Sequence, residues 1–146
     1  MHRVIRIGSE PFDISTELAR LPAAAGAVVT FTGCVRAEQG LATLALEHYP
    51  GMTEREIARH VDEAARRWPL SGVTIIHRVG TLKPGEPIVL VAVAAAHRRE
   101  AFAACEFLMD YLKTRAPFWK LEATASERRW VEAKSADDAA AERWRK

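Results

Sequence analysis

Lys113 and Lys120 stand on either side of a turn-like segment, Thr114-Arg115-Ala116-Pro117, and a short helix-length upstream lies the corner His97-Arg98-Arg99. These groups, with Arg36, are the residues of the chain best suited by type to chemistry. Arginine presents a planar fork of donors that matches phosphate or carboxylate, and lysine a compact charge whose pKa falls when it is buried among other cations. Lys113, Lys120, Arg36 and Arg98 held together would bind an anion, and an amine left neutral there could act as a base or nucleophile. His97 adds a group that titrates in the physiological range, at a helix start where backbone N–H groups also favour an anion. His97, Arg98, Lys113 and Lys120 are separated by one helix and one turn, so a compact fold can return all four to one pocket. The opposing reading is that basic residues at helix ends are solvated, and spacing alone does not separate the two.

Other templates are absent. The sequence has no GxSxG elbow, no phosphate-binding glycine loop, no HExxH and no paired-carboxylate signature, and His2, His48, His60 and His77 lack metal-ligand spacing. Cys34 and Cys105 form no CxxC pair, so each is expected to be a buried small hydrophobe. Gly33, just ahead of Arg36, admits two readings: close approach of backbone to a ligand, or a bulge beside a solvated arginine.

These residues must be positioned by a modest body of structure. The 146 residues, 49% hydrophobic and 27% charged, fit one ordinary globular domain spanning 1–146, with room for a small β subdomain. A net charge of +2, with acidic residues interleaved among the arginines, argues against a nucleic-acid partner. The N-terminus alternates charge with β-branched residues rather than forming a leader, and the longest apolar run, Ile88 to Ala96, is about half of the ~20 residues a membrane helix needs. A cytoplasmic protein is expected.

Periodicity supplies the elements. Val4 to Ile7 reads as an edge strand. Ser15 or Thr16 is expected to cap a short helix carrying Leu18 and Leu21. Strands follow at Ala27 to Arg36 and, alternating, at Leu41 to Tyr49. Thr53 and Glu56 suggest a capping box opening a helix that runs through Ile57 and Val61 to Trp68, with His60 on its surface. Val73 to Val79 alternates as a half-buried strand, and Ile88 to Ala96 is apolar on both faces and so central. A helix from Arg99 to Lys113 presents Phe102, Cys105, Met109 and Leu112 as its apolar stripe. Pro117 stops that helix, Phe118 to Thr124 alternates, Trp130-Val131 is a short strand, and Ser135 starts an alanine-rich helix. The expected class is α+β, a mainly antiparallel sheet with packed helices.

Several stretches together resemble the large, catalytic subunit of molybdopterin synthase, the MoaE family. They are VVTFTGCVR (Val28 to Arg36), LEHYPGMTE (Leu46 to Glu54), WPL at Trp68, IHRVG (Ile76 to Gly80), AHR (Ala96 to Arg98), MDYLKTRAPFWK (Met109 to Lys120) and RWVEA (Arg129 to Ala133). They occur in family order. The resemblance implies an α/β-hammerhead fold and a sulfurtransferase. In that reaction the C-terminal Gly-Gly thiocarboxylate of a small ubiquitin-like subunit delivers sulfur to cyclic pyranopterin monophosphate, forming the dithiolene of molybdopterin. By the same resemblance Lys113 and Lys120 are catalytic, while Arg36, His97, Arg98, Leu121 and Glu122 bind substrate. It also implies a homodimer within a heterotetramer, His97 and Arg98 coming from the neighbouring subunit. No metal or nucleotide cofactor is implied for this step of molybdenum cofactor biosynthesis. Cys34 departs from the pattern, standing where some members carry lysine. The competing reading is a docking module for a ubiquitin-like protein or phosphate ligand that performs no chemistry.

Overall fold

The computed structural model describes residues 1–36, 41–116, 118–124, 128–131 and 135–145; at 41–42, 119–124, 128–131 and 135–137 the description is of the backbone. In chain order the elements are β1 (His2–Gly8), α1 (Ile14–Ala19), β2 (Ala27–Cys34), β3 (Leu41–His48), α2 (Met52–Arg67), β4 (Leu70–Arg78), β5 (Gly80–Leu82), β6 (Pro87–Ala95), α3 (Arg98–Thr114), β7 (Phe118–Thr124), β8 (Arg128–Val131) and α4 (Ser135–Glu142). The strands form two four-stranded sheets, ordered β1-β4-β6-β2 and β5-β3-β7-β8. Every pairing is antiparallel except β1 with β4, which is parallel. The α+β, mainly antiparallel expectation holds.

The first sheet carries the main core. β6 lies inside it and is buried along its length from Val89 to Ala95, as its two-faced apolar run requires. β4 differs from the half-buried strand expected: Gly72 to Arg78 are all buried, because β1 and β6 flank it and two of its polar residues, His77 and Arg78, find tertiary partners. α2 and α3 pack Ile57, Val61, Ala104 and Leu108 against Val73, Ile75, Val91 and Val93. Removing one such side chain, Leu108→Ala for instance, typically costs about 2–5 kcal/mol.

Local starts differ from the sequence reading by small steps. The N-cap of α1 is Asp13, whose carboxylate accepts from the Thr16 N–H at 3.3 Å. α2 begins after Gly51, which takes φ +83°, and it is the Glu54 carboxylate, not that of Glu56, that accepts the Gly51 N–H, at 2.7 Å. Thr53 is buried instead, donating its hydroxyl to the Tyr49 carbonyl at 2.8 Å. In α3 the contact face is built from Ala101, Ala104, Cys105, Leu108 and Leu112, whereas Phe102 is 60% exposed.

The second sheet holds its own small core, Val35, Leu44, Leu46 and Leu82. β5, a three-residue strand that the sequence does not advertise, closes one edge against β3. β7 begins at Phe118, where the alternation places it, β8 begins at Arg128, two residues ahead of the expected Trp130-Val131, and α3 ends at Thr114, ahead of Pro117, itself outside the described residues.

Candidate functional site

Arg36 follows directly from a pinned backbone. Val35 is 3% exposed; its N–H donates to the Glu86 carbonyl at 2.9 Å and its own carbonyl accepts from Gly85 at 2.8 Å. The turn it holds is fixed in turn by Arg78. That buried guanidinium donates to the Ser9 carbonyl, to the Glu86 carboxylate at 3.1 Å and to the Pro87 carbonyl at 3.3 Å. Arg36 is therefore delivered, exposed, from the end of β2 by a buried valine and a charge-assisted clamp. The register slips between Gly33 and Cys34, an irregularity of the β-bulge kind just ahead of Arg36.

His97 and Arg98 sit at the other end of the same strand pair. Ala27 pairs with Ala95 and Cys34 with Pro87, so β2 and β6 run alongside each other for seven steps, about 23 Å. Arg36 lies two residues past one end and His97 two past the other. The corner is tight: a Cβ at Gly26 would stand 2.2 Å from the Ala96 carbonyl oxygen, so only glycine lets the chain pass as it turns to His97. His97 is the N-cap of α3, with extended backbone, and both His97 and Arg98 are exposed.

α3 then folds back along β6 and β2. Fifteen residues separate Arg98 from Lys113, about 22 Å of helix, which returns Lys113 to the Arg36 end. Lys113 is exposed on the last turn. After it, Phe118 stacks on His77 with ring centroids 3.9 Å apart, and His77 pairs in register with Val89, near the same end of β6. Two residues on, the Lys120 backbone pairs with Leu46 on one side and Val131 on the other. The side chains of Lys120, Leu121 and Glu122 lie outside the described residues.

Within one chain, then, Arg36, Lys113 and the Lys120 stretch of β7 gather at one end of the main sheet, while His97 and Arg98 stand about 20 Å or more away. The single pocket for all four groups that the spacing allowed does not form inside one copy. What the near end can do is hold an anion against exposed guanidinium and ammonium groups.

The cysteines divide. Cys105 is buried as expected, and burial, with the nearby Glu106 charge, pushes its thiol up to about 11, which leaves it inert. Cys34 is exposed, against expectation, at the end of β2 where the register slips. Sequence reasoning missed Arg78 and His77, both buried polar residues in a strand that reads as half-buried. Among the described residues no group of His, Cys, Asp and Glu could hold a metal ion, and no helix is long and apolar enough to cross a membrane.

The chain is similar to known proteins along nearly its whole length. The profile of the family described as MoaE protein matches residues 7–115. The molybdopterin synthase catalytic subunit of Mesorhizobium japonicum is 56% identical over 147 residues, covering 97% of this chain and 92% of that one. That of Escherichia coli is 55% identical over 145 residues, covering 96% and 97%. The solved structure of a molybdopterin biosynthesis MoaE protein from Burkholderia ambifaria superposes with a TM-score of 0.84 at 52% identity, covering 99% of this chain and 98% of that one.

Proposed function

The chain belongs to the MoaE protein family, and from that premise we propose that it is the catalytic subunit of a molybdopterin synthase and moves sulfur onto a pterin. The substrate of the proposed reaction is cyclic pyranopterin monophosphate, and the sulfur donor is the thiocarboxylate tail of a small ubiquitin-like subunit. Both are anionic, so both call for cations fixed in place before chemistry begins. Arg36 and Lys113, brought to one end of the sheet, supply them, with Lys120 arriving on β7. Attack by sulfur, opening of the cyclic phosphate and loss of water each develop negative charge that Lys113, Lys120 and Arg36 stabilise or protonate. Leu121 and Glu122 continue the binding segment along β7.

The observation that carries this reading is the separation of the two basic clusters along β2. β2 is one of the two edge strands of its sheet, and it leaves Val28 48% and Phe31 37% exposed; Phe102, at the start of α3, is 60% exposed. An apolar edge of this kind invites a second strand. A two-fold axis near the middle of β2 would set two copies side by side in opposite directions. Each copy's His97 and Arg98 would then stand at the other's Arg36 and Lys113. A homodimer thus completes two composite sites, and one small subunit at each makes a heterotetramer.

The test is reconstitution of this chain with a thiocarboxylated small subunit and cyclic pyranopterin monophosphate, reading molybdopterin as its fluorescent oxidised derivative. Product that disappears with Lys113→Ala, in a variant that still melts like the parent, supports the assignment. Stable complex with the small subunit and no product from the unmutated chain would replace it with a docking function.

A further inference from the structure

On the opposite side of the last turns of α3 from Lys113 lies a second basic site. α2, α3 and the C-terminal segment enclose a cleft of about 150 Å³. Arg59, Arg66, Arg67 and Arg115 rim it, and Glu63 is the one carboxylate among the described residues lining it. Arg66 and Arg67 share Glu63, and Arg59 pairs with Glu56 at 2.8 Å. Arg115 makes no ion pair among the described residues, so it leaves the cleft with an uncompensated positive charge.

The lining also contains a buried donor with nothing to donate to. Tyr111 is 5% exposed, stacks on His60 with centroids 3.4 Å apart and 16° between planes, and its hydroxyl has no hydrogen-bond partner. An unmade hydrogen bond at a buried hydroxyl is a standing cost, and such groups are normally satisfied. Burial raises the phenol's pKa far above its ordinary value, so the group stays a donor at any physiological pH. A lining that holds both a donor without an acceptor and an arginine without a carboxylate is a site short of one oxyanion.

We propose that this cleft binds a phosphate-bearing small molecule, its phosphate oxygens accepting from the Tyr111 hydroxyl and the Arg115 guanidinium. The site is distinct from the proposed sulfur-transfer centre: Tyr111 and Lys113 are two residues apart on α3 and so leave it on opposite sides, and α2 and the C-terminal segment wall the cleft where β2 borders the other face. Trp144 closes it, its carbonyl accepting from Arg67 at 2.9 Å and its indole N–H donating to Asp110, so occupancy of the cleft is coupled to docking of the C-terminal segment.

Calorimetric titration of the full chain with inorganic pyrophosphate, and with citrate as a carboxylate control, tests the proposal. Tyr111→Phe keeps the ring stack and removes only the orphaned hydroxyl, so the variant should fold and melt at or above the parent temperature while binding pyrophosphate about tenfold more weakly. Arg115→Ala should weaken it by a similar factor. Saturable binding that both variants diminish, with citrate weaker, supports the site. No binding by the parent, or equal binding by the parent and both variants, overturns it, and tighter binding of citrate overturns the phosphate assignment. Sulfur-transfer activity does not enter these readouts.

Discussion

His77 and Phe118 stack face to face, 3.9 Å between centroids and 14° from parallel, with His48 a further 6.1 Å from Phe118 on the other strand. The stack fastens the first residue of β7 to a buried residue of β4, and so bridges the two sheets two residues before Lys120. His77 is held in turn, its Nδ1 2.8 Å from the Arg78 carbonyl. If β7 presents Lys120 to substrate, this stack sets where.

Phe118→Ala should therefore lower stability by about 2 kcal/mol, less than a full core truncation because the ring is only half-buried. Turnover in the reconstituted assay should fall further than that loss of folded protein explains. His77→Phe preserves a stacking ring and should recover most of the turnover that His77→Ala loses. Equal turnover per folded molecule in all three variants would show that the stack does not position Lys120.

The Gly26 corner makes a second prediction. Gly26→Ala places a methyl 2.2 Å from the Ala96 oxygen, and backbone on both sides leaves no flexible neighbour to yield. The expected cost is about 1–3 kcal/mol of stability, as for other overpacked sites. The displacement falls on Ala96, so His97 and Arg98 shift with it. Chemical denaturation measures the first effect, and KM for the pterin substrate the second.

Titration of His60 provides a third. Burial lowers its pKa from the ordinary 6.5; the hydrogen bond to the Glu56 carbonyl opposes this, and Arg59 and Arg115 add to the lowering. The unfolded chain then binds a proton more readily than the folded one, so stability is full above about 6.5 and falls as pH drops toward the lowered folded value. Melting temperature should decline through that window in the parent and stay flat there in His60→Gln. Below it both should decline together, since the carboxyls of Glu56 and Glu63, hydrogen-bonded to Arg59 and Arg66, have lowered pKa values in the folded chain.

Much of the fold was legible because side-chain size and polarity followed it. β3, β6 and β7 lie where alternation and the long apolar run put them, and Ile57, Val61 and Ala64 form the buried stripe expected of α2. The misreadings have physical causes. β4 looks half-buried because Thr74, His77 and Arg78 are polar, yet partners from Ser9, Glu86 and Phe118 let His77 and Arg78 be buried. α3 turns alanines to the sheet, where close packing suits small residues, and leaves the larger Phe102 outside. His60 reads as surface from its helix alone and is half-buried only because α3 supplies Tyr111. At the candidate site the residue types were legible, but which of them meet was not. That depends on the β2–β6 register and on α3 folding back its full length, and both are tertiary facts.

The separation of His97 from Lys113 permits a decisive experiment on the proposed composite site. If each site draws Lys113 from one copy and His97 from its partner, a dimer carrying Lys113→Ala on one chain and His97→Ala on the other has one site with both lesions and one with neither. Random mixing makes half of the dimers hybrid, and each hybrid keeps one of its two sites, so the mixture should regain about a quarter of parental activity. Either variant alone should be nearly inactive. If instead both residues served a site within one chain, every hybrid site would carry one lesion and mixing would restore nothing. A further substitution, Phe31→Asp on the exposed β2 edge, should abolish the recovery by preventing the pairing, with the monomer seen by sedimentation.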